Sequence, residues 1–361
     1  MKSLGEILEY EQPTKYIVKS ENYDNSYSTP VLTPGQTFIL GYTNEKDGIY
    51  SDPLPVIIFD DFTTATKLVN FPFKVKSSAM KILKPANKNV YILYWYYYLS
   101  SLKVDNDLHK RYWISTFANR QVPVPALSEQ KRIAERLDKV QELIALQKEQ
   151  LKKLDDLIKS RFIGIFGNPI TNPKGWPLKR IGDLFKITSG GTPSRKHSEY
   201  FENGDIPWVK TGDLNTPYLT FTDEYITELG VQKSTAKIFP KGTVLLAMYG
   251  ATIGAVSILD IEAATNQACA AFLPIDSILP IYLYSFLFLQ KKRFVSLGVG
   301  GAQPNISGEI LKREKILCPP LKLQTEFADF VTKIEAQKGL LATRLSHLET
   351  LYKSLMQEYF G

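Results

Sequence analysis

Residues 130–167 read QKRIAERLDKVQELIALQKEQLKKLDDLIKSRFIGIFG, and residues 324–361 read QTEFADFVTKIEAQKGLLATRLSHLETLYKSLMQEYFG. The two stretches align without a gap at an offset of 194 residues. Identities run from Gln130/Gln324 and Ala134/Ala328 through Lys139/Lys333, Leu146/Leu340 and Leu151/Leu345. They continue through Leu154/Leu348, Leu157/Leu351, Lys159/Lys353 and Ser160/Ser354 to Phe166/Phe360 and Gly167/Gly361. Self-similarity at this range marks a duplicated unit. A proline-rich entry precedes each copy, VPVPALSEQ in the first and CPPLKLQ in the second. Proline there sets an extended approach and a sharp helix start.

Within each copy the apolar residues step by four and three. The first seam is Ile133, Leu137, Val140, Ile144, Leu151 and Leu154. The second is Phe327, Val331, Ile334, Leu341, Leu345 and Leu348. This heptad spacing predicts two long helices, over 128–162 and 324–359, that pair as a coiled coil. A helix of 35 residues spans roughly 50 Å at 1.5 Å per residue. Gln147 and Lys338 each place one polar group in the seam, as a register-setting residue does. Leu143, Leu146 and Leu157 lie off it and widen the first helix's apolar face toward a second packing partner. A pseudo-two-fold axis relating the copies turns one helix against the other, so the pair is expected to be antiparallel.

Weaker matches extend the repeat toward the N-terminus of each half. Leu4-Gly5-Glu6-Ile7 resembles Ile181-Gly182-Asp183-Leu184, and Val56-Ile57-Ile58 resembles Val244-Leu245-Leu246. YILYWYYYL (91–99) resembles IYLYSFLFL (281–289) at an offset of 190. The offset grows along the chain, as added loops in the second copy require. The expected fold is α+β: two mixed α/β domains separated by two long antiparallel coiled-coil helices, with an internal pseudo-two-fold repeat. The domains are 1–125, then a helix over 126–167, then 168–320 with 168–173 as linker, then a helix over 321–361.

The chain has 361 residues, enough for two or three domains, and 44% apolar residues, enough for packed cores. Its two cysteines, Cys269 and Cys318, are far apart, which suits a reducing compartment rather than a disulfide framework. The start, MKSLGEILEYEQ, is polar, and the most apolar stretch, Val90 to Leu102, is too short and too tyrosine-rich for a membrane span. A cytoplasmic protein without membrane contact is expected. A net charge of +7 is compatible with nucleic acid but does not by itself establish it.

Short β-branched and aromatic runs read as strands between turn signals: PVIIF (55–59), DIPWVKTGDL (205–214) and GTVLLAMYG (242–250). The aromatic runs at 91–99 and 281–289 read as helices packed on those sheets. Polar, glycine-rich loops are the candidates for contact, because Asn, Gln, Arg and Lys suit base edges while hydroxyls and glycine N–H groups suit phosphates. In the second half these are Ser189, Gly190, Gly191, Thr192, Ser194, Arg195 and Lys196, then Lys210. Tyr249 and Thr252, Asn266 and Gln267, and Gln303 and Asn305 complete them. In the first half they are Asp60, Thr63, Thr64, Lys67, Arg111, Tyr112 and Arg120.

Catalytic signatures are missing. No Walker A loop occurs, since Gly190-Gly191-Thr192 lacks its lysine and spacing. His109, His197 and His347 are isolated from other metal ligands, and the cysteines form no zinc knuckle. Asp60-Asp61 has no Glu-x-Lys nearby to complete a nuclease-like metal site, and Asn168-Pro169 lacks the Pro-aromatic pair of amino-methyltransferases. No catalytic or metal-binding residue is expected. A methyltransferase–specificity fusion would need a cofactor module that is not here. A structural coiled-coil adaptor would not need two matched domains with different polar loops.

Over nearly its whole length the chain resembles the specificity (S) subunits of Type I restriction–modification systems. The motifs are PVPALSEQKRIAERL and CPPLKLQTEFADFV at the helix starts, and KSRFIGIFGNP and KSLMQEYFG at the helix ends. GWPLKRIGDLFKITSGGTPSR, GDIPWVKTGDL, VLLAMYGATIGAVSIL, NQACAAF and QPNISGEILK follow in order through the second domain. The resemblance implies a DNA-recognition subunit without catalysis of its own, whose two target recognition domains read a bipartite, asymmetric target in double-stranded DNA. It implies two methyltransferase (M) subunits carrying S-adenosylmethionine and, in the restricting complex, ATP- and Mg-dependent restriction (R) subunits. The first domain departs from the pattern: it lacks the GGTPS-type loop and reads EYEQPTKYIV and IIFDDFTTATK instead.

Overall fold

The computed structural model describes residues 1–34, 37–102, 112–298 and 305–361. The chain divides into two compact units, Met1–Lys148 with Thr343–Gly361, and Glu149–Ala342. The two heptad segments are helices of 40 residues each, Leu127–Phe166 and Leu321–Phe360, and the boundary between the units cuts both of them.

In the first unit the beginning of one helix lies against the end of the other. Ile133, Leu137, Val140, Ile144 and Leu355 share one buried cluster, with Leu345, Leu348 and Tyr352 packed on it. Arg136 Nη1 donates to Tyr359 Oη at 2.9 Å, and Lys148 pairs with Glu349 at 2.9 Å. The second unit holds the opposite ends: Phe162 and Phe166 pack on Phe327 and Val331, and Ile334 is buried. The pairing is antiparallel, as the repeat predicts. Leu151, Leu154 and Leu341 are half-buried. Of the two polar seam residues, Lys338 is held by Asp155 at 2.7 Å and Glu335 at 2.9 Å, whereas Gln147 buries a carbonyl oxygen that accepts no hydrogen bond. Leu143, Leu146 and Leu157 remain exposed.

Each unit repeats one topology. In the first, an antiparallel sheet runs in the order Leu8–Glu11, Met80–Pro85, Val56–Asp60, Thr66–Val69. In the second the order is Ile187–Ser189, Cys269–Phe272, Val244–Ala247, Val256–Leu259, extended by Tyr218–Leu219 in parallel. A smaller mixed sheet stands beside each: Thr29–Leu32 pairs in parallel with Lys74–Val75, and Ile206–Val209 with Ala263–Thr265. A two-stranded ribbon, Lys2–Ser3 with Gln121–Val122 and Leu178–Arg180 with Lys315–Leu317, closes each domain where its long helix leaves. Val56–Asp60 and Val244–Ala247 are buried at every position, as the apolar runs Val56–Phe59 and Val244–Ala247 require of central strands.

The aromatic runs form helices, Ile92–Ser101 and Pro280–Leu289, between sheet and long helix. One buried glutamine fixes each of them. Gln130 Oε1 accepts the Tyr91 N–H at 2.9 Å and the Trp95 indole N–H at 3.2 Å, while its Nε2 donates to Asn89 O and Pro125 O at 3.1 and 2.9 Å. Gln324 does the same in the second unit: Oε1 accepts from Leu279 N at 2.9 Å, and Nε2 donates to Ser277 O at 3.1 Å and Pro319 O at 3.0 Å. The clamps make Tyr91 the counterpart of Leu279, not of Ile281. The helices therefore correspond at an offset of 188, the same as the central strands, and matching by aromatic content alone misplaces them by two residues. Ring contacts agree with the clamp register, with Tyr94 on Phe360 in one unit and Tyr282 on Phe166 in the other.

Both glutamines are fully buried, so removing either carboxamide leaves backbone groups without partners. Gln130→Leu and Gln324→Leu are each expected to cost about 1–3 kcal/mol in chemical denaturation. Gln150→Leu, at an exposed position on the same helix, is expected to change little. An equal loss at Gln150 would deny the clamps their role.

Candidate nucleic-acid interface

The sheet register gathers the predicted loops of the second unit at one end. Ser189 and Leu246 both stand opposite Ala270, and Leu246 also stands opposite Val256. The segments beyond that row, 189–195, 248–254 and 265–268, therefore leave the sheet side by side. Met248 N donates to Ala268 O at 2.9 Å, and Tyr249 bridges to Asn305, which brings residue 305 to the same end. Gln303 lies outside the described residues.

Gly190 and Gly191 are buried, and close packing requires them. A Cβ on Gly190 would stand 1.9 Å from Thr265 O, and one on Gly191 would stand 2.1 Å from Thr235 Oγ1. Gly191 N donates to Thr265 O at 2.9 Å, and its carbonyl accepts the Trp208 indole N–H at 3.1 Å. The double glycine docks the loop onto the smaller sheet. The residues it presents outward are Thr192, Ser194, Arg195 and Lys196, all exposed. Thr192 Oγ1 donates to Gln267 Oε1 at 2.5 Å, joining two of the predicted loops. Asn266 is half-buried, and its side chain accepts from Ala268 N at 3.1 Å in a local turn. Thr252 Oγ1 likewise donates to Tyr249 O at 3.0 Å, and Tyr249 is 42% exposed.

Two predicted cations share one carboxylate. Glu224 accepts from Arg195 Nη2 and from Lys210 Nζ, each at 2.5 Å. The guanidinium also lies over Phe201 at 4.6 Å and Trp208 at 5.4 Å. The Lys210 bond first, then Arg195, hold the Glu224 carboxyl below the ordinary glutamate range against the opposing effect of burial. The pairing fixes both cations in position and offsets one of their charges. Glu224 carried no sequence signal: it sits 29 residues beyond Arg195 and joins it only because Trp208 N bonds Glu224 O across the small sheet.

The first unit presents the same sheet end with different residues. Thr63 and Lys67 are exposed there and Thr64 is half-buried at a positive φ of 61°. Asp60 is buried: its carboxylate accepts from Phe62 N at 3.0 Å and from the Thr63 hydroxyl, so it shapes the turn. Asp61 is buried beside Lys81 at 3.4 Å and accepts the Trp113 N–H at 2.9 Å. Tyr112 is buried with its N–H on Asp61 O, and Arg120 is exposed near the end of the domain. Arg111 lies outside the described residues.

Among the described residues no group of three or more His, Cys, Asp or Glu is placed to hold a metal ion, and no helix is long and apolar enough to cross a membrane. Both cysteines are unbridged, and burial pushes the Cys269 thiol up to about 12.

A family model described as the Type I restriction modification DNA specificity domain matches residues 1–156 and again residues 173–350. The specificity subunit of the Type I restriction enzyme EcoR124I/EcoR124II from Escherichia coli is 35% identical over 352 residues, which cover 92% of this chain and 85% of that protein. A Type I restriction–modification S subunit from M. genitalium has the same fold, with a TM-score of 0.66 at 14% identity over 100% of this chain and 95% of the other. A chain solved in connection with complex assembly and conformational transition of the type I R-M system gives a TM-score of 0.54 at 17% identity, covering 98% and 97%.

The packing of the double glycine sets a direct test. Gly191→Ala is expected to destabilise the second unit by about 1–3 kcal/mol, because Thr235 backbone stands in the way of its methyl group. Gly212→Ala, where a Cβ meets nothing within 4 Å, is expected to stay within about 0.5 kcal/mol of the parent. Equal melting of all three proteins would remove the packing role of Gly191.

Proposed function

Since this chain belongs to the family of Type I restriction–modification DNA specificity subunits, we propose that it reads a bipartite, asymmetric target in double-stranded DNA, one part per unit, and takes no catalytic step itself. The observation that carries this reading is the repeated sheet end. Two domains of one topology present loops at equivalent strand ends, and the residues on those loops differ. Equivalent surfaces suit two half-sites on one duplex, and unequal side chains suit unequal base sequences. Backbone contacts fall to Arg195, Lys196, Lys210, Lys67 and Arg120, and base contacts to Gln267, Asn305, Thr192 and Thr63.

Catalysis then belongs to partners. Two methyltransferase subunits would bring S-adenosylmethionine, and restriction subunits would bring ATP and Mg; this chain supplies the address. The apolar side chains left exposed on the long helices, Leu143 and Leu146 in the first unit and Leu157 in the second, supply docking surface for them. The work of such a complex is on cellular DNA, in the cytoplasm.

Two outcomes follow. Replacing residues 174–320 with the matching segment of a relative, then mapping methylation across a genome, is expected to change one half of the target and preserve the other. An altered sequence in both halves, or a target that is one uninterrupted run of bases, would end the bipartite reading. Lys196→Ala is expected to weaken binding to cognate and unrelated duplexes alike, with the salt dependence shallower by about 0.9 in log–log slope for one lost phosphate contact. Arg195→Ala is expected to do the same and also to lower stability, since its guanidinium packs on two rings. An unchanged affinity and slope in a chain carrying both substitutions would move the DNA surface elsewhere.

A further inference from the structure

The glutamine clamps fix which residues correspond between the units, and under that register two tyrosines of the first unit give way to smaller side chains in the second. Ser285 stands where the first unit has Tyr97, at the helix offset of 188. Ile158 stands where it has Tyr352, at the long-helix offset of 194. In the first unit Tyr97 is buried, its ring centroid lies 6.4 Å from that of Tyr352, and its hydroxyl donates to Asp138 Oδ1 at 3.2 Å. In the second unit both phenol rings are absent. A cavity of about 330 Å³ opens against Ser285 and Ile158, with Ile281, Val331, Tyr284 and Phe288 as its apolar walls.

Among the described residues of the second unit no ring occupies that space, which Asn215, Thr216 and Pro217 line from another side. Phe288 replaces Ser100, yet its ring stacks on Tyr284 at 5.8 Å and stays 39% exposed at the mouth. The Ser285 hydroxyl is spent on Ile281 O at 2.8 Å. The polar lining is Asn215, Thr216, Lys159 and an ion-paired trio in which Asp155 and Glu335 hold Lys338 between them and keep further oxygen lone pairs to accept a donor. The volume falls at the small end of the range of ligand pockets, and a mostly apolar lining with a few polar groups suits a small ring.

We propose that this cavity binds a small phenol-class ligand, a single uncharged ring carrying a hydroxyl group, seated where the rings of Tyr97 and Tyr352 lie in the other unit. The stacked Tyr284 and Phe288 offer a ring face, and the carboxylates of Asp155 and Glu335 accept a hydrogen bond from the ligand hydroxyl. The site is independent of the DNA-reading loops, so its test needs no DNA.

The full chain is titrated with p-cresol, the tyrosine side chain as a free molecule, by calorimetry and by thermal melting. Saturable binding at one equivalent and a melting temperature raised by a few degrees are expected. Ser285→Tyr supplies the missing ring covalently and is expected to abolish p-cresol binding; Ile158→Tyr fills the cavity from the facing helix and stands as the second variant should Ser285→Tyr fail to fold. Toluene, which lacks the hydroxyl group, is expected to bind at least tenfold more weakly than p-cresol. No saturable binding to the parent chain, undiminished binding in a folded tyrosine variant, or equal affinity for the two probes would overturn the proposal.

Discussion

One carboxamide in each unit joins the start of a long helix to a turn that lies 39 residues before it in the first unit and 45 in the second. Gln130 and Gln324 tie the proline-rich helix entry, the turn after the central sheet and the first residues of the aromatic helix to a single side chain. Apolar burial supplies far more free energy, roughly 1.5–3 kcal/mol for each large side chain withdrawn from water. Burial alone tolerates sliding, because one aromatic residue packs on a helix almost as well as the next. A buried amide with three or four directed bonds does not tolerate it, since any shift leaves donors and acceptors unpaired. The clamp therefore sets the register, and the register sets which strand ends and loops meet.

The same constraint lets the two units diverge elsewhere. Where the carboxamide and the central strands hold the frame, the loops beyond the sheet end are free to differ in length and chemistry. The second unit uses a double glycine to bring its loop within contact of Thr265 and Thr235; the first uses a turn organised by buried Asp60 and Asp61. Both leave polar side chains exposed at the same end of their sheets, on different strands. Differences also reach the aromatic layer, where Tyr97 and Tyr352 give way to Ser285 and Ile158 without any change in the backbone plan.

Electrostatics at the candidate surface follow a similar division. A mild overall charge of +7 says little about where DNA would lie. The local arrangement says more: Arg195 is held on two aromatic faces and Lys210 is fixed by the same carboxylate, so both are placed before any ligand arrives. A preplaced cation loses less side-chain freedom on binding than one on a free stem. Glu224 offsets part of their charge, leaving Lys196 beside them as an exposed positive group.

Much of this was legible in the sequence. The ungapped repeat at 194 residues gave the duplication, its heptad phase gave the helix pair, and the pseudo-symmetry gave the antiparallel sense. All three depend on periodicity, which the linear chain carries in full. The identity Gln130/Gln324 was visible too, and a polar identity beside an apolar seam was a usable signal for a buried partner. What the linear chain could not carry were meetings between residues without periodic relation. The glutamines' partners moved the aromatic helices by two positions from the match by composition. Glu224 reached Arg195 across a strand pair, Asp60 turned inward, and the two glycines proved to meet backbone. Hydrogen bonds and steric contacts of that kind depend on distances of a few ångströms between segments far apart in sequence, and only the folded chain sets those distances.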